Sequence, residues 1–228
     1  MSTDLLALMQ VVDGAFPTGA FAHSLGLETY VQAGTVHDGA SFGEFLRTSL
    51  HLGVGASDAI ALSVAHRAAR NGDWGAVREA DELLTAMKLP EETRTAGLRL
   101  GKRFLVTCEA VFDLEAIRRL RESVEPGDLA GQHAVAFGAV TALLGASLGD
   151  AARAYLHGHA MSQASAAVRL VPLGATAAQR VVRSLHGDIV AITGLAVTCG
   201  IDDMTSFTPG LDIASMRHAD LPARLFMS

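Results

Sequence analysis

The apolar stretches of this chain are interrupted repeatedly by residues that start and end helices. Runs of alternating apolar and polar residues bounded by tight turns, which indicate β-hairpins, are missing. No internal repeat, low-complexity tract or Pro/Ser-rich linker divides the chain. The pattern therefore predicts an all-α fold, with about eight to ten helices in a single compact, bundle-like domain.

Helix boundaries are predicted from capping residues. Ser41 with Glu44 and Thr176 with Gln179 have the spacing of capping boxes. Pro90 fits the first turn of a long helix. Further predicted boundaries are a helix from Thr3 or Asp4 to Val12, one ending at Ala33, one from Gly55 or Ser57 to Asn71, one starting at Asp73, one from Asp150 to about Leu170, and one from Thr176 to about Cys199.

The segment from Leu129 to Gly149 carries no formal charge and is long enough to span a bilayer. It contains polar residues and relies on Ala and Gly rather than Leu and Ile, so it is interpreted as a buried helix. Gly131, Gly138 and Gly145 repeat every seven residues. They would either lie on one helix face and let another helix approach closely, or simply be tolerated in an Ala-rich helix.

Charge is scarce in this sequence. Hydrophobic residues make up 50% and charged residues 18%, against about 25% charged in typical soluble domains. The low share of charged residues favours a protein that hides apolar surface in an interface, either with copies of itself or with a partner protein. The formal net charge of −6 argues against nucleic-acid binding and against binding to acidic membranes.

The cysteines and the N-terminus indicate the compartment. Cys108 and Cys199 lie far apart with no CxxC spacing, which favours neither a disulfide framework nor a zinc site. The chain begins without the basic residues and cleavage site of a signal peptide. A cytoplasmic protein is therefore expected.

Candidate catalytic and metal-binding patterns are weak. Gly97 and Gly101 precede Lys102, but the spacing is too short for a P-loop and Arg103 stands where Ser or Thr is needed. His157 and His159 are two residues apart, so on a helix they point away from each other. Neither cysteine has an activating, electropositive sequence context. We expect no catalytic residue, metal site or cofactor, and therefore no enzyme.

The end of the chain is rich in apolar residues. It is too apolar for a solvated end and too interrupted by proline for one long amphipathic helix. Its side chains need a surface, supplied either by the body of the protein or by another chain. We therefore predict a helical body over residues 1–204 and an apolar, partner-docking tail over residues 205–228.

Residues 16–28, FPTGAFAHSLGLE, resemble the opening signature P-x-G-x-[FY]-x-x-S-x-G-L-E of the urease accessory protein UreF family. Ala134 departs from the family pattern, where a proline is common. The resemblance covers essentially the whole chain. Further blocks that resemble the family, in the family's order, are residues 92–94, 101–102, 132–138, 165–174 with Gln179, 211–218 and 224–228.

The resemblance implies a dimer-forming protein that joins the accessory protein UreD (also called UreH) and the GTPase UreG on apo-urease. That complex helps deliver nickel to the urease active site, and UreG, not this chain, hydrolyses GTP. The alternatives are a direct nickel-binding metallochaperone, with histidines that converge only in three dimensions, or an activator of GTP hydrolysis by UreG.

Site residues follow from the same resemblance. The tail is expected to contact UreD/UreH, with Arg224 and Phe226 as anchors, since an arginine and an aromatic residue suit a binding hot spot. Ser24, Glu28 and Arg169 are assigned to dimerisation or to the surface that faces UreG, although Glu28 could instead cap or pair within the fold. The remaining residues assigned to UreD/UreH docking are Met216, Arg217, His218 and Leu225.

Overall fold

Helices form all the regular secondary structure in the part of the chain that the computed structural model describes, residues 3–19, 23–124 and 127–227. The predicted all-α class is confirmed. Within these ranges a π-helix spans Ser49–Val54 and a 3₁₀ turn spans Ile201–Asp203. The α-helices are α1 (Thr3–Val12), α2 (Leu27–Gln32), α3 (Gly39–Thr48), α4 (Asp58–Asn71), α5 (Trp74–Met87), α6 (Glu91–Phe112), α7 (Glu115–Glu122), α8 (His133–Leu143), α9 (Leu148–Leu170), α10 (Ala175–Ser184), α11 (His186–Ala196) and α12 (Pro209–His218).

Capping explains the boundaries that were predicted correctly. α4 ends at Gly72, whose φ of 72° is the left-handed conformation that glycine adopts without strain. Asp73 then caps α5, because its side chain accepts a hydrogen bond from the Ala76 amide. Pro90 directly precedes α6.

Three predicted caps were wrong. The cap of α3 is Asp38, which accepts a hydrogen bond from the Ser41 amide, so Ser41 is the third helical residue and not the cap. α9 is capped by Ser147 rather than Asp150. In both cases the residue that caps the helix lies three positions upstream of the predicted one. The cap of α10 is Gly174, which places Thr176 inside the helix.

The helix predicted from Thr176 to Cys199 is two helices. The chain turns at Leu185, which ends α10 and precedes α11. Leu185 is completely buried, so the break lets both short helices pack on α9. This break is one reason why the described residues contain more helices than the sequence pattern predicted.

The centre of the core is the contact between α4 and α8. Every residue from Ala134 to Ala142 is buried. A Cβ at Gly138 would lie 2.3 Å from the carbonyl oxygen of Leu62, so only glycine permits this close helix pair. Of the three glycines that repeat every seven residues, Gly138 is therefore the one that lets another helix approach closely. Gly131 and Gly145 lie outside the helix, at φ values of 86° and 85°.

The predicted buried helix within residues 129–149 is thus α8, with a loop before it, a second loop after it and the first two residues of α9 at its end. None of the helices in the described ranges is long and apolar enough to cross a membrane.

The glycines of the rejected phosphate-loop pattern have a packing role in α6. A Cβ at Gly101 would lie 2.0 Å from the Gly131 carbonyl oxygen, and one at Gly97 would lie 2.2 Å from the Gln132 side-chain oxygen. Both glycines let the loop before α8, which contains Gly131 and Gln132, pack directly against α6.

The C-terminal segment, of which the structure describes residues 205–227, packs back against the helical body. The Thr205 amide donates to the Ala56 carbonyl at 3.0 Å, and the Phe207 amide donates to the Leu52 carbonyl at 3.1 Å. α12 then packs against α2 and α6. The segment is therefore fixed to the body by its own backbone.

Candidate docking surface

Three hydrogen bonds hold the C-terminal segment against α2 and α6. The Thr29 hydroxyl donates to the Ala214 carbonyl at 2.9 Å, and the Gln32 amide donates to the Ala223 carbonyl at 2.9 Å. On the α6 side, the Thr93 and Ser215 hydroxyls are 2.8 Å apart. The segment thus lies in a fixed position between the two helices.

His218 is completely buried between two carboxylates. Its Nδ1 lies 2.9 Å from Glu92 Oε2, and its Nε2 lies 3.0 Å from Glu28 Oε2. Both nitrogens of the ring therefore lie within hydrogen-bond distance of a carboxylate oxygen, one from α2 and one from α6.

Glu28 connects the N-terminal motif to the end of the chain. Its other contacts are with backbone amides: Leu225 N donates to Oε1 at 2.7 Å and Phe226 N donates to Oε2 at 3.2 Å. Glu28 is buried in the first turn of α2. One side chain thus holds α12 and the final residues together, and we name Glu28, Glu92 and His218 the C-terminal clamp.

The local sequence places Glu28 in this position. Gly26 precedes α2 with a φ of 89°, a conformation that glycine adopts freely. A Cβ at Gly26 would lie 3.5 Å from the Leu211 carbonyl oxygen, so α12 passes close to this turn. Ser24 is completely buried beside it. Residues 20–22 of the signature lie outside the described residues.

Phe226 packs into the core of its own chain, with only 5% of its surface exposed. The guanidinium carbon of Arg169 lies 5.1 Å from the centre of its ring, which is a cation–π geometry. Two residues that were assigned to different partners therefore contact each other. The tail packs on the body, which was one of the two possibilities for its apolar residues.

The other side chains of the tail remain accessible. Leu225 is 70% exposed, and Met216 and Arg217 are exposed on α12. Arg224 is exposed too, with one nitrogen 3.5 Å from Glu92 Oε1. Apolar side chains thus project outward from a backbone that the clamp fixes.

A groove of about 530 Å³ runs beside Met216 and Met227. Its wall includes His23 and Arg99. Burial, together with the nearby Arg99 guanidinium, lowers the pKa of His23 below its ordinary value. The groove therefore combines apolar edges with charged walls.

Sequence reasoning did not identify the partnership of Glu92 with His218. Glu92 lies in the first turn of α6. Its contact with His218 joins residues 126 positions apart, and no local pattern indicates such a pairing.

Histidines outside the clamp do not converge on a metal geometry. The rings of His157 and His186 are 5.7 Å apart, while His159 contacts the Ser49 hydroxyl at 3.3 Å. Among the residues that the structure describes, no group of three or more His, Cys, Asp or Glu side chains is placed to hold a metal ion.

Comparison with known proteins gives one consistent result. The UreF family model matches residues 36–186. The urease accessory protein UreF of Arthrobacter sp. (strain FB24) is 39% identical over 223 residues, which cover 98% of this chain and 96% of the relative. The proteins of the same name from Corynebacterium efficiens and Trichodesmium erythraeum are each 37% identical, covering 99% and 98% of this chain and 97% of each relative. Together with the all-α fold, these matches show that the chain belongs to the UreF family of urease accessory proteins.

Proposed function

We propose that this chain is a non-catalytic scaffold in urease maturation, which bridges UreD/UreH, the GTPase UreG and apo-urease while nickel is inserted. Family membership over nearly the full length supports this role. A scaffold of this kind needs surfaces that keep their shape before the partner arrives. We expect it to act as a homodimer in the cytoplasm.

The observation that carries the proposal is the contrast between the fixed backbone of the C-terminal segment and its exposed apolar side chains. The clamp and Phe226 hold the segment in place. Met216, Leu225 and Met227 nevertheless remain exposed. Exposed apolar side chains on a rigid support are typical of a docking surface, so we assign this surface to UreD/UreH.

The buried residues behind this surface act through it. Glu28 and Ser24 are too deeply buried to touch another protein directly, so we propose that they position the segment. Arg169 is exposed beside Phe226 and could contact a partner or a second copy while it keeps its contact with the ring.

Co-purification of this chain with UreD/UreH tests the proposal. Leu225→Glu and Met216→Glu place a charge on the apolar surface, and we expect each to lower recovery of the partner by about tenfold or more. Leu195→Glu is a matched control, because Leu195 on α11 is 69% exposed, like Leu225 at 70%. Circular dichroism should show the same helicity in all variants.

The proposal predicts a parallel loss of urease activation in cells that depend on these variants. Full recovery of UreD/UreH by both Leu225→Glu and Met216→Glu, with normal urease activity, would contradict it.

A further inference from the structure

The groove of about 530 Å³ beside the C-terminal segment runs along one face of α6. Glu91, Thr95 and Arg99 follow one another on that face at intervals of four residues, about one helical turn, and all three line the groove. The opposite wall includes Met216 on α12 and Met227. The volume of the groove lies within the range of about 300–1,000 Å³ that is usual for ligand pockets.

The length of the groove suits a short segment of extended chain. Glu91 and Arg99 are the first and last residues that α6 contributes to the wall, and their separation is about 12 Å along the helix axis at 1.5 Å per residue. An extended chain advances about 3.3 Å per residue, so three or four residues span this length. The Thr95 hydroxyl lies between the two ends and makes no hydrogen bond with another described residue, so it can pair with the backbone of such a segment.

The acids in the wall already have stabilising neighbours. The carboxylate oxygens of Glu92 lie 2.9 Å from His218 Nδ1 and 3.5 Å from an Arg224 nitrogen. Glu91 lies in the first turn of α6, where the helix dipole favours a negative charge. Neither acid therefore requires a cation from a partner.

Arg99 is the cation in the wall, and it lacks a stabilising neighbour of this kind. Its side chain is exposed, and no described residue forms an ion pair or a hydrogen bond with it. Burial, and after it the charge of Arg99, lowers the pKa of His23 in the same wall, so this ring is mainly neutral at pH 7. Lys102 and Arg103 on the next turn of α6 are exposed too, without a carboxylate partner in the described part of the chain. Positive charge is thus concentrated at the Arg99 end of the groove.

We propose that the groove receives an extended segment of the partner protein in which an acidic side chain lies beside an apolar one. The acid pairs with Arg99, and the apolar side chain packs against Met216 and Met227, whose flexible side chains adapt to different apolar shapes. A basic segment would place a like charge against Arg99. A purely apolar segment would cover the guanidinium without offering it an acceptor, which costs binding free energy.

This inference rests on the proposed function, because it takes the partner to be UreD/UreH, and it adds the chemistry of the segment that this partner supplies. Met216 and Met227 are exposed beside Leu225, so the groove is continuous with the proposed docking surface. Apolar contact with Leu225 and ion pairing with Arg99 are separate contributions to binding, and different substitutions remove them.

The affinity of the full-length protein for UreD/UreH, measured by surface plasmon resonance, tests the role of Arg99. We expect Arg99→Glu to weaken binding by about tenfold or more, because it places like charges together. Arg99→Lys keeps the charge and should bind within about threefold of the unmodified chain. Because the ion pair is screened by salt, raising the ionic strength should weaken the unmodified chain more than Arg99→Glu.

Arg183→Glu is the matched control. Arg183 is exposed on α10, no described residue forms an ion pair with it, and the substitution changes the net charge by the same amount. We expect this variant to bind UreD/UreH like the unmodified chain. Equal affinities of Arg99→Glu and Arg183→Glu would overturn the inference.

The outcomes separate this inference from the proposed function. If Leu225→Glu and Met216→Glu lose UreD/UreH while Arg99→Glu retains it, the docking surface stands and the segment proposed for the groove is wrong. If the unmodified chain does not bind UreD/UreH, the proposed function fails and the inference fails with it.

Short overlapping peptides that together cover the UreD/UreH sequence identify the segment. Each is titrated into the full-length protein and followed by NMR of the Met216 and Met227 methyl groups and of the His23 ring. We expect the peptides that shift these signals to contain an acid next to an apolar residue or one position from it. Replacement of that acid by its amide should weaken binding by at least about threefold. The inference is wrong if no peptide shifts these signals, or if the acid can be replaced without loss of affinity.

Discussion

Glu28 accepts hydrogen bonds from the His218 ring and from the amides of Leu225 and Phe226. Its role in this structure is therefore internal, which was the alternative interpretation of this residue. A buried acid with three donors is strongly stabilised, and removing it leaves all three donors without their acceptor.

We predict that Glu28→Ala lowers the free energy of unfolding by about 3–5 kcal/mol, the usual effect of breaking a buried charged pair. Urea denaturation measures the change. Glu44→Ala is the control, because Glu44 is exposed on α3, and it should shift the unfolding free energy by less than about 0.5 kcal/mol. Equal effects of the two substitutions would show that the clamp adds nothing to stability.

Two partly buried histidines, His133 and His159, give the protein a defined response to acid. Burial lowers the pKa of His133 and of His159 to about 4, from 6.5 in the unfolded chain. Between these values the unfolded state binds more protons than the folded state. Stability therefore falls as the pH drops from 6.5 toward 4, with no further loss from these groups below 4.

We predict that the free energy of unfolding decreases by up to about 2 kcal/mol per ring between pH 7 and pH 5. Urea denaturation at the two pH values measures this loss. The double variant His133→Gln, His159→Gln should show a smaller dependence on pH.

Among the helices, α4 and α8 set the tightest constraint, because Gly138 lies against the backbone of Leu62. Their spacing depends on one missing side chain. The sequence indicated the importance of Gly138 through the seven-residue glycine repeat, but the repeat also included two loop glycines. Positive φ values explain those two, and no periodicity can separate them from a packing glycine.

We predict that Gly138→Ala lowers the free energy of unfolding by about 2–3 kcal/mol, because the new methyl group forces the two helices apart. Thermal unfolding measures the effect. Gly187 in α11 has open space around its Cβ position, so Gly187→Ala should be neutral or raise stability by up to about 1 kcal/mol. If Gly138→Ala leaves the free energy of unfolding unchanged, α4 and α8 can move apart without a loss of stability, which would contradict the prediction.

Helix boundaries were predictable where the cap is local. Gly72, Asp73 and Pro90 mark their boundaries through backbone conformation and nearby hydrogen bonds alone. The break at Leu185 was not predictable, because it follows from packing on α9, a tertiary effect. The same holds for the clamp, whose residues are far apart in the sequence.

At the scale of the whole molecule, the C-terminal segment is part of the folded body as well as a candidate docking surface. The division into a body of residues 1–204 and a tail of residues 205–228 stays a prediction about function, while the packing joins the two. The sequence pattern indicated that the apolar side chains of the tail have to pack against a protein surface. It could not indicate whether the body of this chain or another chain supplies that surface.

We predict that removal of residues 224–228 destabilises the protein by about 3 kcal/mol or more, because it takes Phe226 out of the core and leaves Glu28 without its two amide donors. Urea denaturation and hydrogen exchange of α2 measure the loss. Leu225→Glu, which keeps these contacts, should unfold close to the unmodified chain. A truncated protein of full stability would show that the clamp closes without its last residues.

The hydrogen bonds from Glu28 to Leu225 and Phe226 span 197 and 198 positions of the chain. During synthesis the acid emerges well before Leu225 and Phe226. Native burial of Glu28 therefore has to wait until these two residues have been made, since an unpaired acid resists burial. A chain that stops before them leaves Glu28 without two of its hydrogen-bond donors, so the full stability of the fold depends on synthesis of this segment.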